Sequence, residues 1–207
     1  MKTIEYLKLS PIVPVVVLED AKHALPLAEA LLQGGIGIME ITLRSAAALA
    51  SIERIARDLP EMQVGAGTVL DAQQMQKVRD AGGRFSFSPG ISMELLDCAR
   101  DESIHFIPGV ATASEVMLAM QHDIEGCKLF PASAVGGLDL LKGFVGPFAA
   151  MQFCPTGGIS LANMNDYLAL PNVLCVGGSW IVPKKSIAEG DFEHITRLCQ
   201  AALDAIT

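Results

Sequence analysis

The alternation of apolar strand-like runs with helical segments is the feature that most restricts the fold of this chain. Eight short runs, rich in β-branched or apolar residues, are each followed by a stretch with helical spacing. The predicted strands cover residues 11–18, 36–43, 63–68, 85–88, 105–110, 127–130, 151–155 and 173–177. The helices that follow them are predicted over residues 21–33, 46–59, 71–81, 92–101, 114–121, 138–144, 161–168 and 187–206.

Strict strand–helix alternation requires a parallel sheet. Eight such units favour a closed barrel over an open doubly wound sheet, and roughly 200 residues is near the lower size limit of a TIM barrel. We therefore predict an α/β fold, a single-domain (β/α)8 TIM barrel over residues 1–207. A short N-terminal helix over residues 2–9 precedes the first strand.

Composition excludes several classes of partner. The chain of 207 residues is 51% hydrophobic and 18% charged, which is enough to bury a large core. Its net charge is −8 and it has no basic run, so we expect neither nucleic acid nor a membrane as a partner. The N-terminus lacks the apolar core of a signal peptide, and no apolar run approaches the length of a membrane span.

The cysteines and histidines predict neither disulfides nor a metal site. The five cysteines are odd in number, form no C-x-x-C motif and lie mostly in apolar runs. This pattern is typical of reduced, buried thiols in a cytoplasmic protein. The four histidines are scattered and have no metal-ligand spacing.

A single lysine, Lys128, lies in the middle of the apolar segment 127–131. Burial disfavours the charged ammonium form, so this lysine is expected to be a usable amine nucleophile. Alternatively, its stem packs in the interior while its head reaches water. The residues at the ends of the other predicted strands favour the nucleophile.

Polar residues follow the predicted strands at the end where barrel enzymes carry their chemistry. Strand alternation turns Glu40 into the barrel, where it is either an ion-pair anchor or an acid/base partner of Lys128. Arg44 follows the same strand and is suited to grip a carboxylate, although a solvated loop arginine is the alternative. Thr68 follows the third strand and either offers a hydroxyl to the pocket or caps a helix. Pro89 follows the fourth strand and either forms a simple turn or lines the wall of the pocket.

Glycine pairs follow the last two strands, at Gly157-Gly158 and Gly177-Gly178-Ser179. Such loops expose backbone N–H groups at helix N-termini, and the loops after strands seven and eight are a frequent phosphate site in TIM barrels. Each pair alone is also compatible with a simple turn. We predict that the lysine, the carboxylate, the arginine and the two glycine loops face one pocket. Together they indicate imine chemistry on a phosphorylated keto acid.

At these residues the sequence resembles the class I pyruvate-dependent aldolases, specifically the 2-keto-3-deoxy-6-phosphogluconate (KDPG) and 4-hydroxy-2-oxoglutarate (KHG) aldolases. The resemblance covers nearly the whole chain. The stretches that carry it are 40–44 (EITLR), 65–69 (GAGTV), 88–90 (SPG), 128–132 (KLFPA), 154–159 (CPTGGI) and 177–180 (GGSW). Leu129 departs from the family, which often has a second phenylalanine there, and alternation predicts that it faces the helices.

The resemblance implies residue roles. Lys128 would form the Schiff base and Glu40 would be the general acid/base. The expected substrate contacts are Arg44 and Thr68 at the pyruvoyl carboxylate, Pro89 and Phe130 along the pocket, and Thr156 at the sugar hydroxyls. The phosphate would be bound by Gly157, Gly158, Gly178 and Ser179.

The resemblance also implies the reaction and the assembly. KDPG would be cleaved reversibly to pyruvate and D-glyceraldehyde 3-phosphate, as in the Entner–Doudoroff pathway, and KHG to pyruvate and glyoxylate. No cofactor and no metal would be needed, and the protein would be a homotrimer. The alternatives are an aldolase for the galactonate epimer, disfavoured by Thr156, a phosphosugar isomerase or epimerase, and a non-catalytic phosphometabolite sensor.

Overall fold

The computed structural model describes residues 2–206, so Met1 and Thr207 of the predicted domain lie outside the described residues. Parallel strands form the centre of the molecule and helices surround them. The strands are β1 (Ile12–Val16), β2 (Ile38–Thr42), β3 (Gln63–Gly67), β4 (Phe85–Phe87), β5 (His105–Ile107), β6 (Gly109–Val110), β7 (Gly126–Leu129), β8 (Gln152–Pro155) and β9 (Val176–Gly178). The helices are α1 (Thr3–Leu7), α2 (Ala24–Gln33), α3 (Ala48–Asp58), α4 (Ala72–Asp80), α5 (Met93–Asp101), α6 (Ala113–Gln121), α7 (Gly137–Val145), α8 (Met164–Leu168), α9 (Lys184–Glu189) and α10 (Phe192–Asp204). Two 3₁₀ turns cover Ala21–His23 and Ala132–Val135.

The strands form a curled parallel sheet in two ladders. One ladder has the order β5-β4-β3-β2-β1-β9 and the other the order β6-β7-β8. All the paired strands run parallel, as the strand–helix alternation predicted. Isolated parallel bridges, Phe153 with Val173 and Thr156 with Gly177, connect the segment of β8 to the segment of β9. The predicted α/β fold with a parallel sheet is therefore confirmed.

The fifth predicted strand, 105–110, is divided into β5 and β6. The division falls at Pro108, which has no N–H group to donate to a ladder. The carbonyl of Pro108 instead accepts a hydrogen bond of 2.8 Å from the backbone N–H of Lys128. As a result β5 pairs with β4, while β6 pairs with β7, the strand that carries Lys128.

Three predicted boundaries near the C-terminus were wrong. The helix predicted over 161–168 begins only at Met164, because residues 161–163 form a turn. The closing helix predicted over 187–206 is divided into α9 and α10 by Gly190, whose φ of 71° is left-handed and ends a helix. The last strand begins at Val176 rather than at 173.

The core lies between the sheet and the helices. Every residue of β2 is buried, because one of its faces meets the helices and the other faces the inside of the curl. Helix N-termini are anchored by side chains, among them Asp71 for α4, Ser92 for α5 and a Thr112–Glu115 capping box for α6. Leu129 is fully buried in this core. None of the helices within residues 2–206 has the length and apolar character needed to cross a membrane.

Candidate active site

A buried ion pair between Lys128 and Glu40 lies inside the curled sheet. Lys128 Nζ donates hydrogen bonds to Glu40 Oε1 at 3.1 Å and to Oε2 at 3.3 Å. The two side chains are only 6% and 2% exposed. Removing both charges from water costs several kcal/mol per ion, and the attraction between them offsets this only in part. Because a buried ion pair is weak evidence for stability, this pair is a candidate for chemistry.

The curl of the sheet brings the two side chains together, although they are 88 residues apart in the chain and lie on strands that do not pair with each other. Lys128 lies in β7 and Glu40 in β2, and alternation turns both side chains to the inner face. The Glu40 carboxylate lies against the α-carbon of Gly67 in β3, where an added Cβ atom would overlap with it. The space that a side chain would take at Gly67 is thus occupied by the Glu40 carboxylate.

Two aromatic rings flank the lysine nitrogen. Lys128 Nζ lies 5.2 Å from the ring centroid of Phe87 and 5.3 Å from that of Phe130. The rings keep water from the nitrogen and present π faces that attract a cation. Sequence reasoning identified Phe130 and missed Phe87. The sequence does contain a signal for Phe87. Phe85, Ser86 and Phe87 alternate along β4, which places both aromatic rings on one face of the strand.

The Arg44 guanidinium stands at the exposed end of β2. Its Nε donates a 3.1 Å hydrogen bond to Thr42 Oγ1, and the Thr42 hydroxyl in turn donates at 2.9 Å to the carbonyl of Val16. Arg44 takes part in no ion pair within residues 2–206, so its remaining N–H groups are available to an incoming anion. These bonds hold Arg44 in the turn just beyond the strand that carries Glu40.

Thr68 and Pro89 lie in the loops after β3 and β4. Thr68 is half-buried and has a left-handed φ of 59°, which is unusual for a β-branched residue and is found most often where a loop has a functional constraint. Pro89 is exposed, and its carbonyl group packs against the α-carbon of Gly109 at the start of β6. These two residues lie at the carboxyl ends of their strands, as predicted.

Thr156 and the glycine loop follow β8. Cys154 pairs with Lys128 in the ladder, so Thr156, two residues further on, lies just beyond the lysine at the carboxyl end. The Thr156 hydroxyl is buried, donates at 3.3 Å to the carbonyl of Cys154, and lies against Gly177. The bridge between Thr156 and Gly177 places the two predicted glycine loops side by side.

The glycine loops are not at helix N-termini, which corrects the sequence prediction. The helix after the first loop begins at Met164 and the helix after the second at Lys184, and both helices are short. Gly157 and Gly158 have left-handed φ values of 98° and 81° instead. Successive backbone N–H groups in such a turn form a concave anion-binding surface without a helix. Gly178 packs on the indole ring of Trp180, which occupies the space of a side chain there.

Among residues 2–206, no three His, Cys, Asp or Glu side chains are grouped so that they could hold a metal ion. The five cysteines are all buried and unpaired. Chemically, the arrangement offers one amine, one carboxylate in contact with it, a guanidinium just beyond the strand that carries that carboxylate, and two adjoining glycine loops.

Known proteins are similar to this chain over nearly its whole length. Residues 3–198 match the family model described as KDPG and KHG aldolase. The chain is 48% identical over 194 residues to the KHG/KDPG aldolase of Escherichia coli (strain K12), covering 94% of this chain and 91% of that protein.

Two solved structures are also similar to the chain. The KDPG aldolase of Legionella pneumophila, with pyruvate captured as a covalent carbinolamine, is 44% identical, covers 98% of each chain and has a TM-score of 0.96. The KDPG aldolase of Zymomonas mobilis ZM4, with 3-phosphoglycerate, is 39% identical, covers 99% of this chain and 98% of that chain, and has a TM-score of 0.90.

Proposed function

Because this chain belongs to the KDPG and KHG aldolase family, we propose that it is a class I aldolase whose amine nucleophile is Lys128. It cleaves KDPG reversibly to pyruvate and D-glyceraldehyde 3-phosphate, and KHG to pyruvate and glyoxylate. The observation that carries the proposal is the buried contact between Lys128 and Glu40 beneath the carboxyl ends of the strands. A carboxylate in direct contact with the amine is where a proton acceptor for imine formation has to be.

The reaction begins when Lys128 Nζ attacks the C2 carbonyl carbon of the keto acid. The resulting carbinolamine loses water and leaves an iminium group. Loss of the proton on the C4 hydroxyl then breaks the C3–C4 bond, and the electron pair of that bond moves to the iminium. Glyceraldehyde 3-phosphate departs, and an enamine remains on the lysine. Protonation at C3 and hydrolysis by water release pyruvate and regenerate the amine.

Glu40 moves the protons in these steps. It accepts the proton that the amine gives up and relays protons to and from the C2 oxygen, the C4 hydroxyl and C3, in part through water. Proton transfer by a positioned carboxylate contributes roughly 10² to 10⁴ in rate. The flanking rings of Phe87 and Phe130 exclude bulk water from the nitrogen on which the iminium forms.

The substrate's two anionic ends are bound on different loops. We propose that Arg44 and Thr68 bind the carboxylate of the keto acid, with Pro89 and Phe130 along the pocket and Thr156 at the sugar hydroxyls. Gly157, Gly158, Gly178 and Ser179 are proposed to hold the phosphate. Support comes from the left-handed turn at Gly157 and Gly158 and from the bridge that joins the two loops.

The gluconate epimer is the preferred substrate in this proposal. Thr156 offers a buried hydroxyl where the galactonate-specific relatives tend to have an apolar residue. Its hydrogen bond to the carbonyl of Cys154 orients the hydroxyl oxygen, so that it can accept from a substrate hydroxyl of the matching configuration.

The wider organisation is also proposed. One closed barrel of eight strands over residues 1–207 is supported by two observations. Two isolated bridges join the chain around β8 to the chain around β9, and β5 and β6 follow each other directly although they belong to different ladders. A homotrimer, catalysis without a metal and a cytoplasmic location are implied by the family resemblance. Analytical ultracentrifugation and activity after dialysis against a chelator test the first two.

The decisive experiment is reduction with borohydride in the presence of pyruvate, followed by peptide mapping. We expect one three-carbon adduct on Lys128 and none on a Lys128→Met variant. A phosphosugar isomerase or epimerase would form no adduct. A phosphometabolite sensor would release no pyruvate in an assay coupled to lactate dehydrogenase. An adduct at another lysine, or none, rejects the proposal.

A further inference from the structure

A serine outside the predicted site lies directly on the glycine loop after β8. Ser133 is in the 3₁₀ turn Ala132–Val135, just beyond the segment that carries Lys128. A Cβ atom added to Gly158 would overlap with Ser133 Oγ and Cβ, so the serine side chain occupies the space over the α-carbon of Gly158. The hydroxyl therefore borders the same turn whose N–H groups are proposed to hold the phosphate.

Backbone hydrogen bonds hold the serine in this position. The N–H of Ser133 donates to the carbonyl of Gly157 at 3.0 Å, and the N–H of Ala132 donates to the carbonyl of Thr156 at 2.8 Å. On the other side of the loop, Asn163 donates to the carbonyl of Gly158 at 3.0 Å and accepts from the N–H of Ser160 at 2.8 Å. The loop is thus supported from both sides.

The hydroxyl of Ser133 has no hydrogen-bond partner elsewhere within residues 2–206, and the residue is exposed. The N–H groups of Gly158 and Ile159 likewise donate to no group in that part of the chain. Unused donors on a rigid, concave turn are suited to a group with several acceptor oxygens.

We propose that Ser133 is a further ligand of the substrate phosphate, its hydroxyl donating a hydrogen bond to a phosphate oxygen held on the Gly157–Gly158 turn. This inference rests on the proposed aldolase function. It assigns to Ser133 part of the preference for a phosphorylated keto acid over an unphosphorylated one. A hydroxyl fits this place because it donates to the dianion and adds no negative charge of its own.

The test compares KDPG with KHG, which has no phosphate, in purified Ser133→Ala. The ratio of kcat/KM for KDPG to kcat/KM for KHG is expected to fall about tenfold, the usual loss for a hydrogen bond to a charged group. A Ser133→Asp variant is expected to lower the ratio further, because its carboxylate repels the phosphate. Ala134→Asp is the matched control, since it places the same charge one residue further along the same exposed turn and should lower the ratio much less.

Inorganic phosphate provides an independent readout. Its dissociation constant, measured by calorimetry on the full-length protein, should rise by a similar factor in Ser133→Ala. An unchanged substrate ratio together with unchanged phosphate affinity overturns the role of Ser133 and leaves the aldolase function intact. If wild-type protein releases pyruvate from neither substrate, the proposed function fails, and the calorimetric result still decides whether Ser133 binds phosphate.

Discussion

The carboxylate of Glu40 rests on the bare α-carbon of Gly67, one strand away in the sheet. In the ladder Thr42 pairs with Gly67, so the Glu40 side chain leans toward the carboxyl end of β3. A methyl group at position 67 would occupy the same space as the carboxylate. The position of the Glu40 carboxylate relative to Lys128 therefore depends on a residue that has no side chain.

We expect Gly67→Ala to lower kcat by about 10²-fold, because displacing a catalytic group by an ångström has an effect of this size. Circular dichroism should show a folded protein. Gly37→Ala is the control, since Gly37 immediately precedes β2 and a Cβ atom there meets nothing within 4 Å. Equal activity in the two variants would contradict the contact between Glu40 and Gly67.

Substitution of Lys128 should reduce the aldolase activity more than substitution of Glu40. Lys128→Met removes the nucleophile and should abolish both KDPG cleavage and borohydride trapping. Glu40→Gln retains the amine and removes the proton carrier, so kcat should fall by about 10² to 10⁴. Pyruvate should still be trapped in Glu40→Gln, at a lower rate. Comparable residual turnover in the two variants would count against this division of roles.

Thr156→Val should reduce the preference for the gluconate epimer over the galactonate epimer. Valine has nearly the shape of threonine but cannot hydrogen-bond to a sugar hydroxyl or to the carbonyl of Cys154. The measurement is the ratio of kcat/KM values for the two epimers of the substrate. An unchanged ratio would mean that another residue determines the configuration at C4.

The thiols should be unreactive in the folded protein. Burial raises the pKa of Cys127, and raises that of Cys199 to about 12. A hydrogen bond with Cys154, together with burial, raises the pKa of Cys175. Because only the thiolate is nucleophilic, N-ethylmaleimide at pH 8 should label these three residues at least tenfold more slowly than it labels glutathione. In guanidinium chloride all five cysteines should react, and rapid labelling of the native protein would contradict this burial.

His105 should contribute to acid sensitivity. Burial beside the ring of Tyr6 lowers the pKa of His105, so the unfolded chain binds its proton more readily than the folded chain does. The stabilisation provided by neutral His105 is present above pH of about 6.5 and is lost as the pH falls through the lowered value. His105→Gln should therefore show a smaller decrease in urea midpoint between pH 7 and pH 5 than the wild type. His122→Gln is the control, and an equal decrease in wild type and His105→Gln would reject the prediction.

The local pattern of apolar residues was sufficient to predict the parallel sheet. It was also sufficient to predict which residues of a strand face the inside of the sheet. The strand of Glu40 shows this, since alternation alone places Glu40 opposite the helix-facing Met39 and Ile41. It was insufficient at the end of the chain. The apolar spacing of residues 187–206 continues across Gly190, and only the left-handed turn there reveals two helices.

The amino-acid sequence by itself determined the alternation of elements, the parallel sheet and the inward direction of Lys128 and Glu40, because side-chain periodicity is a local property of each strand. Tertiary structure alone decided that these two residues meet at 3.1 Å, that Phe87 flanks the amine, and that Ser133 covers Gly158. It also decided that the two glycine loops after β8 and β9 continue into turns rather than directly into helices. Those relationships depend on how the strands are staggered and how the loops pack, and the register between segments far apart in the chain has no local periodicity that reports it.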